Sequence, residues 1–279
     1  MASVWFRWLT ANTVHASTPS DHWAQEVRDR CRTEQAAVDQ SRAEEGAPTA
    51  GGEVLGMSIK AVLRHARGAV TSESELAQID EEVIGACYGL HASRLQLMVA
   101  LNAQERIDQV NDLIRGRVDA GLDMQQDRPV VQAMRREIHD SVFQCMADWR
   151  TAGQRLMRCA KILPSQLRQN VPWPNTMATV RWSGLSRSVG NALRDAQDDY
   201  LECRALLEMA QGQYAQAHRE RVAAEHAFSM GCVAGARLSA ALVAERAHHG
   251  ALIETQAGHA TSLFRLNRLV LGSAESALA

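Results

Sequence analysis

The chain has 279 residues, a formal net charge of −2, 5% aromatic residues and six prolines. The near-neutral charge leaves no electrostatic footprint for nucleic acid, and the scarcity of aromatic residues argues against an extensive sheet. An abundance of Ala, Arg, Leu and Gln favours helix instead, and no run of about 18 apolar residues is present to suggest a transmembrane helix.

Residues 1–56 form a poorly patterned lead-in. Trp5, Phe6, Trp8 and Leu9 are apolar, but Arg7 and Asn12 interrupt them, so no clear signal peptide is expected. Trp23 to Glu45 suits a polar helix, Gly46 to Gly52 a linker, and Met57 to Ala69 a short helix. The first long helix is expected from Ser72, where a serine cap precedes acidic residues that suit a helix N-terminus. It should run to about Val118 and break over Asp119 to Asp123. Its return helix is expected from about Pro129 to Lys161, with an apolar seam of Val131, Met134, Ile138, Val142, Cys145, Trp149, Ala152, Leu156, Cys159 and Leu163. Those steps of three and four average about 3.5 residues, the coiled-coil period.

Leu163 to Asn175 contains three prolines and reads as a non-helical connector. Thr176 to Val189 is ambiguous, with a short strand possible at Val180 to Ser183. The next seam is Leu193, Ala196, Tyr200, Cys203, Leu207, Ala210, Tyr214, Ala217, Arg221, Ala224 and Phe228, in which Arg221 alone is charged. Met230 to Gly235 should make a turn, and a last helix should run from about Ala236 to Leu271, with Gly272 as its stop. A helix of about 45 residues is roughly 65 Å long and must be buried along its length by neighbouring helices.

The two hairpins repeat one another. Arg155-Leu156-Met157-Arg158 recurs 110 residues later as Arg265-Leu266-Asn267-Arg268, and Gly121, Leu97, Val142 and Ala147 fall at the same offset on Gly231, Leu207, Leu252 and Ala257. The expected fold class is therefore all-α, a tandem pair of long antiparallel coiled-coil hairpins. The expected divisions are an N-terminal segment at 1–56, a first hairpin repeat at 57–163, a proline-containing connector at 164–190 and a second hairpin repeat at 191–279.

Over residues 70–272 this pattern resembles the helical part of the TolC-type outer-membrane efflux proteins, which are built from two such repeats. The matching turns are Arg117-Val118-Asp119-Ala120-Gly121 and Phe228-Ser229-Met230-Gly231. Asp127 and Ala133 fit the stretch that follows in the first repeat, and Ala244-Glu245-Arg246 fits in the second. Leu269-Val270-Leu271-Gly272 closes the second repeat, whereas Lys161-Ile162-Leu163-Pro164 ends the first. The resemblance implies a homotrimeric duct of the outer membrane and periplasm. It would act in efflux or secretion with a periplasmic adaptor and an inner-membrane pump, and without catalysis or cofactor. The family's membrane strands should stand before residue 72 and before residue 190. No alternating stretch is found there, so a reduced or absent β-barrel is expected. Hairpin-turn residues that could meet a partner are Arg117, Asp119, Gly121, Asp123, Phe228, Gly231 and Gly235.

Other readings carry less. Glu245-Arg246-Ala247-His248 has the spacing of half a di-iron site, but a bundle of that kind needs a second such motif and two further glutamates, so no metal is expected. His248 and His249 are adjacent and point to different helix faces. The six cysteines, Cys31, Cys87, Cys145, Cys159, Cys203 and Cys232, form no C-x-x-C pair and suit small core positions. The reading of another class is a soluble coiled-coil scaffold or adaptor with no transport activity.

Overall fold

A computed structural model describes residues 56–68, 72–121, 127–168, 171–174, 177 and 187–271, all within one compact unit that spans Leu55–Ala279. A short helix, α1 (Ile59–Arg67), precedes four long ones: α2 (Glu73–Asp119), α3 (Asp127–Ala160), α4 (Arg187–Ser229) and α5 (Gly235–Leu271). A 3-10 turn at Pro164–Gln166 follows α3. Among the described residues there is no strand, only one parallel bridge between Met57 and Leu167. The candidate strand at 180–183, the glycine at 272 and the lead-in before residue 56 lie outside the described residues.

The all-α tandem-hairpin fold is the one expected. α2 pairs with α3, α4 pairs with α5, and the hairpins join through α2 against α5. α3 also touches α5, whereas α4 rests on α5 and makes no comparable contact with α2 or α3. With 47 residues α2 extends about 70 Å.

Both turns lie at one end of this bundle, here called the tip. Gly121 and Gly231 close α2 and α4 with nearly equal left-handed φ angles of 70° and 72°, a conformation that glycine adopts without a Cβ penalty. At the same position of each turn the glycine N–H donates back, to Val118 O and to Phe228 O, each at 3.0 Å. The duplication seen in the sequence is therefore repeated in backbone geometry.

The core divides along the length. At the base, Val62, Leu63, Ile84, Cys87, Tyr88, Leu156 and Phe264 form one apolar cluster, and Leu193, Ala196 and Tyr200 of α4 pack on Leu263 and Leu266. At the tip, Ile107, Ile114, Val118, Ile138, Phe228, Leu238 and Leu242 form another. No residue of the α4 seam is exposed, though Cys203, Leu207 and Tyr214 in its middle are only half-buried. A carboxylate buried at Leu207 meets water part of the way. Leu207→Asp is accordingly expected to cost about 1–2 kcal/mol, below the several kcal/mol of a fully buried charge, while Gln211→Asp on the exposed side should be near neutral. Urea unfolding of the two variants measures the difference, and equal midpoints would refute the seam.

Two local expectations need correction. Ser72 stands at the N-cap of α2, but its side chain makes no capping bond; its Oγ lies 3.4 Å from Ser74 Oγ instead. The α3 seam stops short of Leu163, which is 52% exposed. Lys161 takes a left-handed φ of 57° and Pro164 cannot continue a helix, so the chain leaves the helix axis before Leu163 can face α2. Beyond it the connector folds back. Trp173 stacks on Tyr88 at 5.7 Å and tilts against His91 at 4.9 Å. Arg168 N donates to Met57 O at 3.1 Å, a pairing that Gly56 permits, since a Cβ there would lie 2.6 Å from Arg168 N.

Candidate functional site

The tip gathers part of the predicted turn set. Arg117, in the last turn of α2, lays its guanidinium over the Phe228 ring at 4.9 Å and donates to Phe228 O at 3.5 Å. Phe228 is buried. Gly235 opens α5 where a Cβ would come within 2.1 Å of Ile114 Cδ1. Arg117, Phe228 and Gly235 thus lock one turn to the other. Asp119, Gly121 and Gly231 lie exposed on the outer surface beside Met230, which is 67% exposed. Asp123 lies outside the described residues.

The close approach at Gly235 gives a two-way prediction. Gly235→Ala must displace the buried Ile114 side chain, and overpacking of this kind costs about 1–3 kcal/mol. Gly250, mid-helix in α5, has open space around its would-be Cβ, so Gly250→Ala should stabilise by about 0.5–1 kcal/mol. Thermal unfolding should move the two variants in opposite directions.

A second constellation sits between the apolar clusters. Arg221, the one charged residue of the α4 seam, is buried. Its Nε stands 2.8 Å from Glu245 Oε2, an ion pair without hydrogen-bond alignment, and its other side meets Glu225 one turn on. His218 Nδ1 lies 2.7 Å from Glu245 Oε1; a carboxylate only accepts, so the proton is on His218. Arg106 of α2 approaches Glu245 at 3.8 Å. One carboxylate therefore ties α2, α4 and α5 together. Nearby, Gln96 Nε2 of α2 donates to Gly250 O at 3.1 Å.

The base carries a third set. Asp80 is 1% exposed and accepts two bonds from Arg67, Nε at 2.8 Å and NH2 at 2.9 Å. Arg268 of α5 adds a contact at 3.3 Å. Arg265 reaches Glu81 at 3.5 Å and Asp199 at 3.0 Å. The first copy of the same motif places Arg155 and Arg158 with Glu82 around a shallow groove. Both copies of Arg-Leu-x-Arg thus aim cations at the run Asp80-Glu81-Glu82.

Among the described residues no group of three or more His, Cys, Asp or Glu side chains is placed to hold a metal ion. Glu245, the acid of the E-x-x-H spacing, is committed to Arg221 and His218. Cys87 is pushed up to about 12, by burial first and then by neighbouring Cys159, which makes a poor thiolate. His91, His249 and His259 are each held below the ordinary imidazole value, with burial the largest cause. Below an unfolded pKa of about 6.5 the unfolded chain takes up protons that these three resist. Their contribution to stability is complete above that pH and is lost as pH falls through and below it. The urea midpoint at about pH 5.5 should be lower than at about pH 7.5, and a rise would contradict the burial of these rings.

Compared with known proteins, the fold matches the outer-membrane channel OprN. The match has a TM-score of 0.58 at 13% identity, over 78% of this chain and 71% of that one. No family model matches the sequence, and neither does any curated protein. The likeness is one of fold. No helix among the described residues is long and apolar enough to cross a membrane.

Proposed function

We propose that this chain is a component of an outer-membrane efflux or secretion duct, working as a homo-oligomer with a periplasmic adaptor and an inner-membrane pump. The observation that carries the reading is the tandem pair of long hairpins, which share the fold of an outer-membrane channel over 78% of the chain. In this reading the paired turns, with Arg117, Asp119, Gly121, Phe228, Gly231 and Gly235, form the end that meets the adaptor. Trimer number and periplasmic placement rest on the same resemblance, whereas the division into segments at 1–56, 57–163, 164–190 and 191–279 rests on the sequence pattern alone.

Self-association has its own support in the charge pattern. α4 packs chiefly on α5, and Leu201, Met209 and Val222 stand exposed on it. Near the base α4 exposes Asp195, Asp198 and Glu202, and at the same level α3 exposes Arg150, Arg155 and Arg158. An α4 edge placed against the α3 edge of a second copy would bring opposite charges together. Fractionation of the native host, combined with light scattering on the purified chain, tests the assignment. The duct reading expects a trimer recovered with the outer membrane. A stable soluble monomer would overturn it and leave the scaffold reading.

A further inference from the structure

The apolar core is interrupted part-way along the bundle. Buried residues of the base cluster reach Leu90 on α2 and Ala260 on α5, and those of the tip cluster start at Ala103 and Leu242. On α4 the interval runs from Tyr200 to Ala224. Leu97, Ala100, Leu252 and Ile253 are buried inside it but join neither cluster. A stretch with few joined apolar contacts opens at low free energy. Glycines fall in the same interval without a packing reason. A glycine inside a helix weakens it relative to alanine, so one whose would-be Cβ meets only open space needs another explanation. Of the helical glycines with such space, Gly116 and Gly190 sit in terminal turns of α2 and α4, whereas Gly89, Gly212, Gly250 and Gly258 are interior. The bond from Gln96 Nε2 to Gly250 O at 3.1 Å sets one level. Tyr214, two residues past Gly212, meets the His249 ring at 4.5 Å, so Gly212 and Gly250 stand level on α4 and α5. Gly89 lies seven residues from Gln96 and Gly258 eight from Gly250, both toward the base, which puts this second pair about 11 Å away.

We propose that this waist is a hinge, about which the tip half of the bundle bends relative to the base half. Each long helix crosses it with a glycine. α3 does so at Gly153, which the contact of Cys159 with Glu82 O at 3.9 Å places within a residue of the Gly89 level; there the missing Cβ also makes room for Pro164, whose Cγ would lie 2.9 Å away. Small residues are frequent where elements absorb a change of backbone angle. The two halves are each fastened by contacts that lie outside the waist. At the base Asp80 binds Arg67 and Arg268. At the tip Arg117 stacks on Phe228, and the ion pairs of Glu245 close the tip margin of the interval. The hinge is independent of any membrane role.

Residual dipolar couplings of the backbone amides, measured on the full chain in a weakly aligning medium, test the hinge. Couplings of the base half and of the tip half, fitted separately, should give alignment tensors of unequal magnitude, because halves that move against each other are ordered to different degrees. A rigid bundle gives one tensor for both, and that result in the parent overturns the proposal. The variant with Gly89→Ala, Gly212→Ala, Gly250→Ala and Gly258→Ala should bring the two tensors together. It should also raise Tm by roughly 4–16 °C, since alanine fits the open space at all four sites. Tensors that stay unequal in this variant, or a lower Tm, which would mean that packing needs the glycines, overturn the hinge as well. Gly116→Ala with Gly190→Ala, outside the waist, should leave the tensors unequal. If that pair alone merges them, the flexibility lies elsewhere and the proposal fails.

Discussion

Replacing Glu245 by alanine is expected to lower stability by about 3 kcal/mol, or roughly 6–12 °C in Tm for a chain of this size. The cause is the partner left behind. Arg221 has a side chain only 7% exposed, and Glu245 is the less exposed of its two carboxylates, at 13% against 44% for Glu225. Removing one member of a buried ion pair costs about 3–5 kcal/mol because the other charge stays unpaired. Glu225 still offers partial compensation, which sets the lower end of that range. Arg221→Met together with Glu245→Leu should recover most of the loss, since an apolar pair of similar volume substitutes for a buried ion pair at little net cost. Chemical denaturation of the single and double variants decides this. If the double variant is as unstable as the single, the buried charge is not the cause.

Asp80→Ala should cost about as much, 3–5 kcal/mol, by a different route. Asp80 is the buried centre of a clasp that joins α1, α2 and α5, with two aligned bonds from Arg67 and a third contact from Arg268. Its loss removes the buried carboxylate from between two guanidiniums that are 24% and 17% exposed, although Arg268 keeps its bond to Ala77 O at 3.2 Å. Because Arg268 belongs to the second hairpin and Asp80 to the first, the damage should appear at the base, as faster hydrogen exchange in α1 and in the last turns of α5. Asp80→Asn keeps one acceptor and should cost less. An Asp80→Ala variant with parental stability would mean that the clasp contributes nothing.

The hairpins and their register were legible because a coiled-coil seam is a local signal. Successive steps of three and four from Leu193 to Phe228 can be read without knowing what the helix meets. The turns were legible for the same reason, since Gly121 and Gly231 supply a backbone conformation that other residues avoid. Long-range pairing was not legible. Arg221 stood out as a charge on an apolar seam, and a buried arginine requires a carboxylate; the sequence offered many, and nothing local singled out Glu245. Its E-x-x-H spacing drew attention to metal chemistry instead, although its contacts are with cations. Asp80 gave no such warning, because its two arginines lie 13 and 188 positions away in the chain. The recurring Arg-Leu-x-Arg was visible as a repeat, but its purpose, to face Asp80-Glu81-Glu82 from both hairpins, needed the packing. The end of the α3 seam was misplaced by one step because Lys161 takes a left-handed conformation, which a lysine does not announce.

The duct reading stands or falls on whether α4 of one copy meets α3 of the next. A photo-activatable residue placed at Asp198, in a mixture of isotope-labelled and unlabelled chains, reports this directly by mass spectrometry. The account predicts links from position 198 to peptides of α3 around Arg150 to Arg158, joining labelled to unlabelled chains. Links confined to a single chain, or none to α3, would contradict it.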